Sequence, residues 1–251
     1  MPNPPAIYDF LLGGKDNTQV DRAAAEGLLR ALPDTRRAAR SNRGFLVRAV
    51  EFMAGHGIDQ FLDLGTGYPT SPNVHEVARG VRPDAGVVYV DHCPVVSAHN
   101  QAVLARYPGV GATQQDLRDP DAVLTDPDVV AVIDLDRPVG VLLVSVLHFV
   151  DPAQTAALLG RYVDAVPSGS MVAVSAACAL DPDGTDAAMI RGVYAGSGTP
   201  FHFHAPEQFA ALFTGLTLVP PGVVDVARWR ARDEPLTQSG MSFLAGVGIK
   251  G

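Results

Sequence analysis

The sequence predicts an α/β fold: a mostly parallel sheet of about seven strands alternating with helices, whose last strand runs antiparallel. Three observations carry that prediction. Phe61-Leu-Asp-Leu64 reads as a short buried strand, Gly65 and Gly67 supply a tight turn, and Asn73-Val-His-Glu-Val-Ala-Arg79 has helix-forming composition with Val74, Val77 and Ala78 on one side. The same strand-then-helix order recurs to about residue 213. After that, residues 216–219 and 241–249 are strand-like and joined by a polar excursion with little helical patterning, and strands joined without a crossover helix pair antiparallel.

Taken in order, residues 6–17 open apolar and break at Gly13-Gly14. Thr18 with Asp21 has the capping-box pattern for a helix over 23–32, which Pro33 ends. Asp34 caps a second helix toward Met53 that stops at Gly55 and Gly57. On it Phe45, Ala49, Phe52 and Met53 form an apolar patch to lie against the sheet, whereas Arg36, Arg40 and Arg43 share a side and read as a solvated stripe. Residues 1–57 therefore form an N-terminal helical lid segment, and 58–251 one compact unit.

Residues 86–91 are the second strand, ending in Asp91, and 94–106 the helix after it. A weak third strand over 110–115 leads into Asp116. The most continuous apolar run, 138–150, suits a central strand buried on both faces and brings Ser145 to Phe149 to the carboxyl edge of the sheet. A helix over 152–166, a turn at 167–170, a fifth strand over 171–175 and a helix over 187–193 follow. Gly196-Ser-Gly198 breaks that helix, Phe201-His-Phe-His204 lies in the next loop, and 206–213 is a short helix.

With 251 residues, 47% of them hydrophobic, the chain can bury one large core. No apolar run reaches the ~18 to 20 residues that span a bilayer, and Met1-Pro-Asn-Pro-Pro5 lacks the basic-then-apolar order of a secretory signal. The expectation is a cytoplasmic protein without a membrane partner. Cys93 and Cys178 are distant and without a CxxC partner, so neither a disulfide framework nor a zinc site is indicated. A net charge of −8 argues against nucleic acid as the partner. Residues 1–48 carry eight Lys and Arg against five acids, which suggests that this cationic leader folds back onto the acidic body or helps to seat an anionic group.

Carboxylates define the pocket chemistry. Asp63, just before the glycine turn, would repel a dinucleotide's diphosphate and suits a cationic ligand such as S-adenosylmethionine, with its sulfonium and α-amino groups. Asp91 lies 24 residues beyond Gly67, near the ~20-residue spacing at which an acid meets ribose hydroxyls. A carboxylate can accept from both hydroxyls of a cis-diol. Asp116 stands at the third strand end, where it would accept from an adenine amino group.

Tyr8-Asp-Phe-Leu-Leu-Gly-Gly-Lys-Asp-Asn17, Phe61-Leu-Asp-Leu-Gly-Thr-Gly-Tyr-Pro-Thr70, Asn73-Val-His-Glu-Val77, Val88-Tyr-Val-Asp91, Asp116-Leu-Arg-Asp-Pro120 and Leu147-His-Phe-Val150 resemble one family. It is the S-adenosyl methyltransferase family, formerly a family of unknown function, with the class I methyltransferase-like Rossmann sheet. The resemblance spans most of the chain, and the amino-terminal stretch is its specific signal. It implies bound S-adenosylmethionine, with S-adenosylhomocysteine as product, and names no acceptor. Carried over, Asp63, Gly65 and Gly67 would line the methionine end of the cofactor. Asp91 would hold the ribose, Asp116 and the backbone of Leu117 the adenine, and Ser145 and Leu147 would flank the sulfonium. Tyr8, Gly14 and Lys15 would close over the cofactor, where Lys15 or an arginine would pair with its carboxylate. Tyr68-Pro69 stands where a third glycine is common in methyltransferases generally, and Cys93 is not a residue the fold requires.

Methyl transfer chiefly needs the acceptor held in line and water kept out. An oxygen or nitrogen acceptor can also use a general base. His148, after the central strand, is the candidate, against the alternative of a structural hydrogen bonder. His202 and His204 lack a third metal ligand at suitable spacing, so no metal is expected, and with Phe149 and Tyr194 they are assigned to the substrate-cavity wall. Trp229 reads as core. Three functions stay open: a methyltransferase acting on a small-molecule oxygen or nitrogen acceptor, a cofactor-binding module without transfer activity, and an NAD-dependent oxidoreductase. Asp63 and the lack of a GxGxxG weigh against the third. The acceptor would be a small molecule, and the protein a monomer or homodimer.

Overall fold

A computed structural model describes residues 1–179, 181, 183–231 and 241–251. Among the described residues eight strands form one sheet: β1 (Gln60–Leu64), β2 (Gly86–Asp91), β3 (Val110–Gln114), β4 (Gly140–Val144), β5 (Met171–Ala179), β6 (Leu216–Leu218), β7 (Val224–Asp225) and β8 (Met241–Lys250). Their order is β3-β2-β1-β4-β5-β8-β6, with β7 also on β8. Strands β1 to β5 are parallel, and β8 runs antiparallel to β5, β6 and β7. The chain winds outward from β1 to β3 and then returns to the other side of β1 as β4. That reversal opens a crevice at the carboxyl ends of β1 and β4, the place where open α/β sheets bind ligands.

The helices are α1 (Pro4–Leu12), α2 (Gln19–Ala31), α3 (Thr35–Gly55), α4 (Val74–Val81), α5 (Pro94–Val103), α6 (Pro120–Leu124), α7 (Pro127–Val130), α8 (Pro152–Ala165), α9 (Thr185–Ala195) and α10 (Pro206–Ala211). Strand alternation divides the core. Leu62, Leu64, Val88 and Leu143 pack against Leu159 and Tyr162 of α8 and Phe209 of α10. Phe61, Val87, Tyr89 and Leu142 pack on the opposite face against Phe45, Ala49, Val50 and Met53 of α3. Trp229 belongs to this second layer, wholly buried and edge-on to Phe45 and Phe52. A third cluster caps the sheet's carboxyl edge, joining Ile7, Leu11 and Leu28 to Ala177, Tyr194 and Phe201.

Local signals explain where the elements start. Asp21 accepts from the amide and hydroxyl of Thr18, and Glu76 accepts from the amide of Asn73, at the starts of α2 and α4. The helices α6 and α7 lie between β3 and β4, where no helix was expected. Asp119-Pro120 and Asp126-Pro127 mark both: each aspartate accepts from an amide of the first turn, and each proline occupies the opening position.

Four expectations change. The run over 138–150 is a strand only to Val144, because Ser145 takes a positive φ of 61° and turns the chain into a 3₁₀ turn at Leu147–Phe149. Strand β5 continues to Ala179, since β8 pairs with it along all nine residues. The excursion before β8 contains β7, which brings the sheet to eight strands, while its residues 232–240 lie outside the described residues. The arginine stripe on α3 is solvated only at Arg40. Arg36 donates to the carbonyls of Phe10 and Leu11 and lies over the Phe10 ring, and Arg43 donates to the carbonyls of Thr70 and Pro72.

The amino-terminal motif builds a tight corner. Gly13 adopts φ 91° at the end of α1, the amide of Gly14 donates to the Asp9 carbonyl at 2.9 Å, and Asn17 Nδ2 donates to the Asp9 carboxylate at 2.7 Å. A Cβ at Gly14 would lie 1.9 Å from Asp9 Oδ1, so a side chain there would displace the Asp9 carboxylate from its bond to Asn17. Among the described residues, no helix is long and apolar enough to cross a membrane.

Candidate functional site

A cavity of about 950 Å³ opens at the switch point between β1 and β4. It lies at the upper end of the ~300–1,000 Å³ typical of small-molecule sites. The sheet supplies one half of its wall and the N-terminal helices, with the 190–203 segment, the other.

The sheet half begins at the glycine turn. Gly65 and Gly67 hold φ of 72° and 66°, and the amides of Gly65 and Thr66 both donate to the Val90 carbonyl of β2. A side chain at position 65 would put Cβ 2.3 Å from Cγ2 of Val146. Asp91, at the end of β2, is buried yet faces the cavity. Its Oδ2 accepts from Gly67 N and its Oδ1 from Cys93 N, each at 2.9 Å. Each oxygen retains acceptor capacity toward a ligand. Burial pushes the Asp91 carboxyl above the usual carboxylate range.

Asp116, after β3, also lines the cavity, together with Leu117. Arg118 Nε donates to both Asp116 oxygens at 3.0 Å, and Arg118 Nη2 to Oδ2 at 2.6 Å, which lowers the carboxyl's pKa. The carbonyl of Leu117 accepts from Tyr162 Oη at 2.7 Å. Ser145 sits on the wall at the tip of β4, whereas Leu147 is wholly buried behind it.

Asp63 stands one layer below the wall. Within β1 it shares a side with Phe61 and so faces α3, on a small recess of about 30 Å³ beside Tyr8, Asn42 and Arg43. It accepts from Thr66 Oγ1 at 2.9 Å, and burial raises its pKa to about 6, partly offset by that hydrogen bond and the Arg43 charge. Asp63 thus supports the turn from behind rather than lining the large cavity.

The leader contributes differently from expectation. Tyr8 lines the cavity, but Gly14 and Lys15 are exposed outside it. Of the eight basic residues in 1–48, Arg43 alone reaches the wall, and its buried Nε has no acceptor among the described residues. A chain of hydrogen bonds ties this leader to the sheet. Ser145 N donates to Ser175 Oγ, Ser175 Oγ to Asn42 Oδ1, Asn42 Nδ2 to Tyr8 Oη, and Tyr8 Oη to the Ala39 carbonyl.

The opposite half is aromatic. His148 stacks on Phe201 at 4.5 Å, Phe201 stacks on Tyr194 at 4.8 Å, and Phe149 meets Phe201 edge-on at 5.6 Å. Phe203 and Phe243 complete the group, and all six rings line the cavity. Burial among these rings lowers the His148 pKa to about 3, with a smaller contribution from His204. His148 is therefore neutral at pH 7, and its Nδ1 has no hydrogen-bond partner among the described residues. His202 and His204 do not line this cavity. Phe201 and Phe203 take the wall in their place, because His204 pairs in extended fashion with Ala177 and Ala179 of β5 and alternate side chains turn away. His204 is buried beside Thr155, 3.3 Å from its hydroxyl. Among the described residues, no group of three His, Cys, Asp or Glu is placed to hold a metal ion.

The family model for S-adenosyl methyltransferase matches residues 1–251. The chain belongs to that family. A solved structure from Thermobifida fusca YX that carries a methyltransferase assignment is 40% identical, with 99% of this chain and 95% of that one covered at a TM-score of 0.89. A DUF574 family protein from Streptomyces avermitilis MA-4680 is 32% identical, with 100% and 98% covered and a TM-score of 0.92. The N-methyltransferase NodS from Bradyrhizobium japonicum WM9 is 13% identical over 86% of this chain and 98% of that one, with a TM-score of 0.51. That likeness shows the fold, which is the class I methyltransferase fold. No curated protein matches the chain.

The donor set of this S-adenosyl methyltransferase family member suits the family's cofactor. Asp91 and Asp116 offer acceptors to hydroxyl and amino groups, while the turn amides of Gly65, Thr66 and Gly67 are already committed to Val90 and Asp91. A diphosphate would need such amides free.

Proposed function

We propose that the chain transfers a methyl group from S-adenosylmethionine to an oxygen or nitrogen of a small-molecule acceptor. One observation carries this reading: a single cavity has the strand-end acids Asp91 and Asp116 beside the glycine turn on one side and His148 among aromatic rings on the other. The cofactor, when bound, supplies an electrophilic methyl group.

The chain's residues divide the remaining work. Asp91 would accept from the ribose hydroxyls while keeping its bonds to Gly67 and Cys93. Asp116, oriented by Arg118, and the backbone at Leu117 would meet the adenine. The turn at Gly65 and Gly67, supported by Asp63 through Thr66, would line the methionine end, where Arg43 rather than Lys15 would meet the carboxylate. Ser145 and, behind it, Leu147 would flank the reacting centre. Residues 1–57 would act as a lid over residues 58–251, held by the Tyr8–Asn42–Ser175–Ser145 chain. His148, a weak neutral base, would receive the acceptor's proton as that proton becomes acidic during transfer.

Calorimetric titration with S-adenosylmethionine, S-adenosylhomocysteine and NAD tests the cofactor, and methyl release on a metabolite panel tests the reaction. Binding of the first two with turnover supports the proposal. Binding of NAD alone would overturn it, and cofactor binding with no turnover on any acceptor would favour a module without transfer activity.

A further inference from the structure

The aromatic half of the cavity carries information about the acceptor. Its six rings come from the 3₁₀ turn after β4, from α9, from the 201–203 segment and from β8. Leu11 of α1, Leu28 of α2, Leu32 just after α2 and Ile190 of α9 face the same cavity. The ring-to-ring contacts join these six residues to one another. The cation–π pairs among the described residues lie elsewhere, at Phe10, Phe52, Tyr107 and Trp229.

The acids on the cavity wall are each hydrogen-bonded, and Arg43, whose Nε keeps no partner among the described residues, is the partner proposed for the cofactor's carboxylate rather than for the acceptor. Asp9 is held by Asn17, Asp34 by Arg37, Asp116 by Arg118 and Asp91 by two amides, and Arg43 donates to two carbonyls. A carboxylate or phosphate on the acceptor would leave water for a ring-lined chamber without an ion pair, at a large desolvation cost. An ammonium would meet no carboxylate among the rings and would lie next to the sulfonium's positive charge. A neutral aromatic ring meets neither penalty and gains edge and face contacts with the wall. Within the ring cluster the imidazole of His148 is neutral, and its Nδ1, without a partner among the described residues, is free to accept a hydrogen bond from a hydroxyl or amine.

We infer that the acceptor is a neutral aromatic molecule, a phenol or an arylamine, held by Phe149, Tyr194, Phe201, Phe203 and Phe243 with its O–H or N–H directed at His148. This rests on the methyltransferase reading for the chemistry, but the chamber's selectivity is measurable without turnover.

The experiment is calorimetry on the full chain saturated with sinefungin, an amine-bearing cofactor analogue that cannot donate a methyl group. Four bicyclic probes are titrated: 2-naphthol, anionic 2-naphthoate, protonated 2-(aminomethyl)naphthalene and saturated 2-decalol. The expected result is 2-naphthol binding about tenfold or more tighter than each of the others, as unpaired charge burial and lost ring contacts require. Phe149→Leu and Phe201→Leu should each weaken 2-naphthol about fivefold with little change for sinefungin. Two variants are used so that a folding defect in one, seen as a lowered melting temperature, still leaves the other to decide. Equal or tighter binding of either charged probe overturns the neutral assignment, and equal binding of 2-decalol overturns the aromatic one. If sinefungin fails to bind but the preference for 2-naphthol holds, the methyltransferase reading falls and the chamber assignment stands.

Discussion

The two halves of the cavity are built on opposite principles. The sheet half is made of hydrogen-bonding groups at strand ends, each fixed by its own few neighbours: Asp91 by Gly67 and Cys93, Asp116 by Arg118, the turn by Val90. The aromatic half is made of ring faces from residues 148, 149, 194, 201, 203 and 243, which meet only because the chain returns to the same edge. A directed polar site tolerates little change and recognises one guest, while a wall of rings defines a class of guests by polarity and shape. Under the proposed function the cofactor would take the sheet half and the acceptor the aromatic half.

The sharpest contrast comes from the turn. Gly65→Ala forces a Cβ against Val146 at a φ of 72°, which should destabilise the fold by about 3 kcal/mol in urea denaturation. A change below about 0.5 kcal/mol would show that the turn relaxes freely and that the sheet half is less constrained than described. Asp91→Ala should weaken S-adenosylhomocysteine binding by about 1–3 kcal/mol, the loss expected for hydrogen bonds to a charged group, and should spare 2-naphthol. Unchanged cofactor affinity in the folded variant would remove Asp91 from the ribose.

A pH effect separates the halves in another way. The His148 pKa of about 3 lies below the ordinary ~6.5. Between those values the unfolded chain binds more protons, so this residue's contribution to stability falls as pH drops from about 6.5 toward 3. His204, lowered to about 4, acts in the same direction. Asp63 acts in the opposite one: with its pKa raised to about 6, the folded chain binds more protons between about 4 and 6 and gains stability as pH falls through that window. His148→Phe removes the first contribution while keeping Asp63 and His204 in place. It should therefore reduce the stability lost between pH 7.5 and pH 5 by up to roughly 2 kcal/mol, read from urea midpoints at the two pH values. Identical pH profiles would mean that His148 is not buried neutral.

The smallest effect distinguishes two leader residues. Lys15→Ala should leave S-adenosylhomocysteine affinity within about 0.5 kcal/mol of the parent, as expected for an exposed position, while Arg43→Ala should weaken it measurably. The reverse outcome would restore Lys15 as the cofactor's carboxylate partner.

Much of the sheet half was legible because its determinants are local. A strand, a glycine turn and a capped helix follow one another within residues 60–81, and an acid marks the end of β2 and the start of the loop after β3. The placement of Asp63 was half legible: alternation puts it on the side of Phe61, but only the packing shows that this side meets α3 rather than the cavity, so the sequence alone set it against the cofactor. The same period-2 logic puts Phe201 and Phe203, rather than His202 and His204, on the wall. Lys15 and Arg43 could not be told apart from composition, because which basic residue reaches the cavity depends on how α1 and α3 cross the sheet edge. The aromatic chamber was least legible, since nothing local links Phe243 to Tyr194 or either to His148. The turn at Ser145 was hidden for a related reason: an unbroken apolar run gives no sign of where pairing with β5 stops.

A crystal structure with S-adenosylhomocysteine bound tests the division of the cavity most directly. The ribose hydroxyls should lie within hydrogen-bonding distance of Asp91, the adenine beside Asp116 and Leu117, and the sulfur should point past Ser145 toward the rings around His148. Density for the cofactor in the aromatic half, or a ribose away from Asp91, would contradict the account.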